Sequence, residues 1–210
     1  MTTPYISIKA RRLATQFRCS IVALALMSVC SMRALAQDNQ SHTMTRQDQE
    51  TSTNQSALLK VVRNATARFQ EVSEAERAHY ALLFGCVSGP DEGAMGLHFV
   101  NMDLLDEVNK TGKLDPAHPQ IVLYEAQPNG ALKLTGADFL VYADAWDAIH
   151  PGVTPQLMGQ IFQYFEAPNR FGLPAFYTLH VWAWKQNPKG AFVNWHPNVS
   201  CQSFVGPTTP

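Results

Sequence analysis

The sequence predicts a single α+β domain in which an N-terminal helix pair packs on a curved, mainly antiparallel β-sheet. Three observations carry this expectation. Apolar residues between Leu58 and Leu83 recur at three- and four-residue steps, the period of a helix face. From Gly96 onward the apolar residues fall instead in short runs rich in Val, Leu, Tyr and Phe, bounded by turn residues. No internal repeat and no alternation of strand and helix, as a parallel sheet would need, runs through the 210 residues.

Residues 1–36 read as a cleaved secretory signal. Lys9, Arg11, Arg12 and Arg18 give a basic start, Ile21 to Val29 an apolar run, and Ala34, Leu35 and Ala36 a small-x-small cleavage pattern. The apolar run is shorter than the roughly 20 residues needed to span a bilayer, so the mature chain is expected to carry no transmembrane anchor and to work in the periplasm or outside the cell. The signal holds five of the 16 basic residues and none of the 17 acidic ones, which leaves the rest with a net charge of about −6. That balance argues against nucleic acid as a partner, because phosphate binding rests on clustered Lys and Arg. Cys19 and Cys30 leave with the signal. Cys86 and Cys201 remain, and in an oxidising compartment they predict one disulfide.

Residues 37–55 are polar, with Met44 their only aliphatic residue, and are expected to form a tether. The globular domain is placed at residues 56–205, with a tail at 206–210. Leu58, Val61, Val62, Ala65, Phe69 and Val72 form the first helix face, and Ser73 with Glu76 suggests a capping box that opens a second helix through Ala78, Leu82 and Leu83. Gly85, Gly89, Gly93 and Gly96 then punctuate a loop. No Gly-Lys-Ser/Thr follows, and Asp91 and Glu92 would repel an anion, so this is no phosphate cradle. Strands are expected at Gly96 to Asn101, Gln120 to Ala126, Ala131 to Leu134, Asp138 to Ala143 and Ala175 to Lys185, with a return at Ala191 to Trp195. Met158 to Glu166 suits strand or helix. Asn129-Gly130 predicts a type I′ hairpin turn.

Strand alternation places His98 and Val100 on one face, with Leu97 and Phe99 on the other. The same alternation puts His180 on the face of Trp182 and Trp184. If His98, His180 and a carboxylate share a concavity, they form a ligand set for zinc, copper or iron, with Glu125 as the third candidate and Asp138 as its alternative. The competing reading is a pair of hydrogen-bonded structural histidines. Trp182, Trp184, Trp195 and Tyr177, with Arg170 as an anchor, are candidates for an aromatic pocket that takes a small-molecule ligand. No serine sits in Gly-x-Ser-x-Gly, and a hydrolase triad has no other support.

The runs GCVSGPDEGAMGLHFVN (85–101), APNRFGLPAFYTLHVWAW (167–184) and NWHPNVSC (194–201) resemble a family of uncharacterised small exported bacterial proteins. The resemblance implies a bacterial, exported, single-domain protein and transfers no functional residue. Three functional classes stay open: a small-ligand-binding domain with an aromatic and histidine pocket, a small metal-dependent enzyme using His98 and His180 with a carboxylate, and a structural or envelope-interaction protein.

Overall fold

The computed structural model describes residues 45–209, so the signal segment, residues 37–44 of the expected tether and the last residue lie outside the described residues. An α-helix, α1, runs from Arg46 to Thr66 and starts ten residues before the expected onset of order. Its polar first turns are held by a capping box, in which the Thr45 hydroxyl accepts from the Asp48 amide and the Asp48 carboxylate accepts from the Thr45 amide. Local capping thus extends the helix into sequence that has no apolar face of its own.

A short helix, α2 (Val72–Arg77), follows, and here the sequence expectation fails. Ser73 and Glu76 form no capping box; Glu71 is the N-cap, without a side-chain bond. The helix stops at Arg77, His79 turns into the left-handed region with φ 66°, and Tyr80 to Gly89 becomes β1. Strand β1 pairs antiparallel with β2 (Gly93–Asn101), so the glycine-rich stretch is a hairpin rather than a free loop.

After β2 come α3 (Met102–Thr111), β3 (Ile121–Ala126), β4 (Leu132–Tyr142) and α4 (Ala143–Ile149). The runs at 131–134 and 138–143 are one strand. The β3–β4 turn is not type I′. Pro128 occupies its first central position, where the ring fixes φ near −65°, and only Gly130 (φ 81°) is left-handed. Short strands β5 (Gln156–Leu157), β6 (Gln160–Ile161) and β7 (Gln163–Phe165) resolve the ambiguous segment. Strand β8 is Phe176–Val181 and ends four residues before the expected limit. Residues 191–195 form no strand; the nearest ladder contact is an isolated bridge between Ala94 and His196. The expected tail contributes β9 (Thr208–Thr209), which pairs parallel to β1 at Cys86 and Val87.

The main sheet is seven-stranded, in the order β7-β8-β4-β3-β2-β1-β9, strongly curled and antiparallel except at β9. A register shift between Leu123 and Tyr124 adds to the bend, as bulges do. One face carries Leu97, Phe99, Val122 and Tyr124, packed with Phe69 and Tyr80, and continues through Phe139 and Leu179 to Leu58 and Val62 of α1. The other face carries Val100, Ile121, Leu123 and Leu140, and meets Leu105 and Val108 of α3 and Trp146 of α4. Cys86 and Cys201 are joined by a disulfide that spans 115 residues of chain.

Candidate metal centre

His98 lies on β2, Asp138 on β4 and His180 on β8, all on the face that meets α3 and α4. His98 and His180 are three strands apart. In a flat sheet that separation is about 14 Å, yet their ring centroids lie 5.8 Å apart. Curling of the sheet closes the distance, and it does so only for side chains on the inner side of the curve.

One ligand-type atom from each of His98, Asp138 and His180 lies within 4.8 Å of the others, and all three residues are buried. Donors on one ion with bonds of about 2.1 Å are at most about 4.2 Å apart, so small side-chain rotations close the set around an ion. Asp138 and His180 face each other directly across β4 and β8, with Asp138 Oδ1 3.5 Å from His180 Nδ1.

The surroundings orient these groups. His98 Nδ1 lies 3.2 Å from the Gly96 carbonyl, which only accepts, so Nδ1 carries the proton and Nε2 is left with its lone pair. Thr178 donates its hydroxyl to Asp138 Oδ1 at 2.5 Å. Backbone shape matters at two glycines. A Cβ on Gly136 would stand 2.4 Å from the Val181 carbonyl, and one on Gly96 would stand 2.5 Å from that of Tyr124, so both positions let neighbouring strands approach closely beside the histidines.

Burial sets the charges. It pushes His98 down to about 4, helped by the neighbouring His180, while Asp138 pulls weakly the other way. It pushes His180 down to about 3 and lifts Asp138 to about 6. Both imidazoles are therefore neutral near pH 7, the form in which they ligate metals. His180 has no hydrogen-bond partner on either ring nitrogen. Asn194 is close enough to favour its protonated form, but the Asn194 Oδ1 atom lies outside hydrogen-bond geometry and is itself unpartnered. Buried polar atoms are nearly always paired, so an imidazole with both nitrogens unpartnered is an exception that the protein's own atoms do not explain.

Beside the three residues lies a cavity of about 20 Å³, measured as room for the centre of a water-sized sphere. Its walls are apolar: Phe84 of β1, Phe165 of β7, Phe176 of β8, and Phe171 from the β7–β8 loop, backed by Leu140 and Leu173. Thr178 is the only further polar residue that lines it.

Glu125 does not belong to this cluster. Its Oε2 accepts from Lys185 Nζ at 2.6 Å and its Oε1 from the Ser200 amide at 3.1 Å, so both oxygens serve a structural ion pair at the end of β3. Nor do the expected ligand-binding residues line the cavity. Trp182 is buried, and its indole donates to Val193 O. Trp184 leaves the face of His180 because β8 has ended; its indole donates to Thr66 Oγ1 under Arg63. Trp195 is covered by Arg170, which also donates to Ser88 O. Tyr177 lies on the opposite face of β8 from His180, beside Tyr164, with its hydroxyl on Asp147. These side chains are dispersed because most of them act as packing pieces with their polar atoms committed. The phenylalanines that replace them carry no polar atom, so only their place around the curl reveals them.

No family model, curated protein or solved structure matches the chain.

Proposed function

We propose that this is an exported domain whose functional centre is a divalent transition metal held by His98, Asp138 and His180, with a small ligand bound beside it. The single observation that carries the reading is the convergence of three buried donors from three strands onto one point, with His180 lacking any other partner. Two imidazoles and one carboxylate suit zinc or iron(II) and, less well, copper. The disulfide and the lack, among the described residues, of a helix long and apolar enough to cross a membrane agree with export.

The donor set also favours a second reading, a metal-dependent enzyme. Closed structural sites use four protein ligands, whereas three ligands leave a position for water or substrate. Asp138 and the two histidines would then hold the reacting metal, and the apolar wall would keep bulk water away.

Elemental analysis of the protein purified without chelator or affinity tag tests the reading. Near-stoichiometric zinc, iron or copper is expected, and it disappears in the His98→Ala, His180→Ala double variant. Metal-free protein that cannot be loaded would leave the histidines as structural residues.

A further inference from the structure

We infer that the centre takes a small apolar molecule ending in a single anionic donor, such as a monocarboxylate or phenolate, with the donor on the metal and the apolar body among Phe84, Phe165, Phe171 and Phe176. This inference rests on the metal reading above.

The polar inventory of the cavity makes the case. Only four of its lining residues carry polar side-chain atoms: His98, Asp138, His180 and Thr178. Three are the proposed metal ligands, and the Thr178 hydroxyl is committed to Asp138. Among the described residues no Lys, Arg, Asn or Gln lines the cavity, so a sugar, a phosphate ester or an amino acid would bury hydroxyl, phosphate or ammonium groups without partners. The metal is the one place where a polar atom of the ligand finds a partner. Charge points the same way. A divalent ion with one carboxylate leaves a net single positive charge in an apolar surrounding, and one anionic donor neutralises it.

The wall chemistry names the rest of the ligand. Phe165 and Phe176 stack with centroids 5.1 Å apart and planes within 2°, and Phe171 meets both edge-on, at 6.4 and 6.0 Å. Phe84 closes the far side, 5.8 Å from Phe171 and 6.5 Å from His98. At about 20 Å³ the cavity itself has room for little more than a water molecule, so on this inference the ligand's ring is accommodated by movement of the half-buried Phe171. That residue sits on the β7–β8 loop, which is organised as one piece: Asn169 Oδ1 accepts from the Phe171 and Leu173 amides, and its Nδ2 donates to Leu173 O.

The test is a cobalt(II) titration, with visible absorption reporting the metal's ligands. The cobalt-loaded protein is titrated with phenylacetate and with acetate, which share a donor head and differ in the ring. Phenylacetate is expected to change the cobalt bands with a half-saturation at least about tenfold below that of acetate, as burial of a ring predicts. A Phe171→Asp variant is expected to keep the cobalt bands and lose the preference. Equal half-saturation for the two acids, or no response to either while cobalt is bound, overturns the ligand assignment and leaves the metal centre standing. If no protein-bound cobalt bands develop, or if they persist in the His98→Ala, His180→Ala variant, the metal reading fails and takes this inference with it. Should Phe171→Asp lose its cobalt bands, Phe171→Ala serves in its place, and a preference unchanged in that variant counts against the proposal.

Discussion

Asp138 and His180 stand directly opposite one another on β4 and β8, both almost completely buried, with Oδ1 and Nδ1 3.5 Å apart. No well-formed hydrogen bond joins the two, and while Asp138 accepts from Thr178, His180 is unpartnered at both nitrogens. On the proposed reading, an ion between them and His98 would satisfy all three groups at once.

Thr178 positions Asp138 through its hydroxyl. Thr178→Val keeps the shape of the side chain and removes that bond. Metal affinity is expected to fall about 10- to 100-fold, the usual cost of losing an outer partner of a metal ligand, with little change in the circular dichroism spectrum. A chelator-competition titration checks this, and unchanged affinity would show that Asp138 needs no such support.

Gly136 brings β4 against β8 within reach of the site. In Gly136→Ala the new methyl meets the Val181 carbonyl at 2.4 Å, and the strands must part next to His180. A loss of about 1 to 3 kcal/mol in urea unfolding is expected, together with weaker metal binding. A variant that unfolds like the parent would mean that the strand separation relaxes without strain.

The disulfide closes a 115-residue loop between β1 and the segment leading to β9. Replacing Cys86 and Cys201 with alanine is expected to lower the unfolding free energy by about 2 to 5 kcal/mol. The comparison is made by urea denaturation of metal-free protein, so that bound metal does not mask the difference.

Alkaline pH provides an independent check on the core. Burial raises the Tyr80 and Tyr124 phenols, whose hydroxyls donate to Pro119 O and Phe69 O at 2.6 Å. The unfolded chain releases these protons first, near pH 10, so their stabilisation is complete below that pH and is lost above it, at up to about 1.4 kcal/mol per pH unit for each. Stability is therefore expected to fall between pH 10 and 12. The fall should be shallower in Tyr80→Phe, even though that variant starts lower at neutral pH for want of the hydrogen bond. Parallel profiles would place the titrating group elsewhere.

Much of this arrangement is legible from period-2 alternation. His98 and His180 fall on buried strand faces because Gly96 to Asn101 and Phe176 to Val181 alternate as they do. Which carboxylate joins them is not legible. Glu125 and Asp138 both lie on strands, and the choice depends on the register of β4 against β8 and on Lys185, which lies 60 residues from Glu125 in the chain and neutralises it. The aromatic assignment fails for a local reason. Alternation beyond Val181 assumes a strand, but there the chain turns, with Ala183 N–H on Val181 O, and Trp184 swings to Thr66. The second helix fails similarly: the spacing of Ala78, Leu82 and Leu83 fits a helix face, yet pairing with β2 claims residues 80–89 for the sheet, and Leu82 and Leu83 stay exposed. For residues 80–89 tertiary pairing overrides the local pattern.

X-ray absorption of the zinc-loaded protein at the zinc edge reads the ligands of the proposed centre themselves. Two imidazole nitrogens at about 2.0 to 2.1 Å, with the outer-shell scattering typical of histidine rings and one or two oxygens, are the predicted first shell. Loss of the imidazole signal in His98→Ala, His180→Ala completes the result. A shell of oxygens alone, or an imidazole signal that survives the double variant, would contradict a centre at His98, Asp138 and His180.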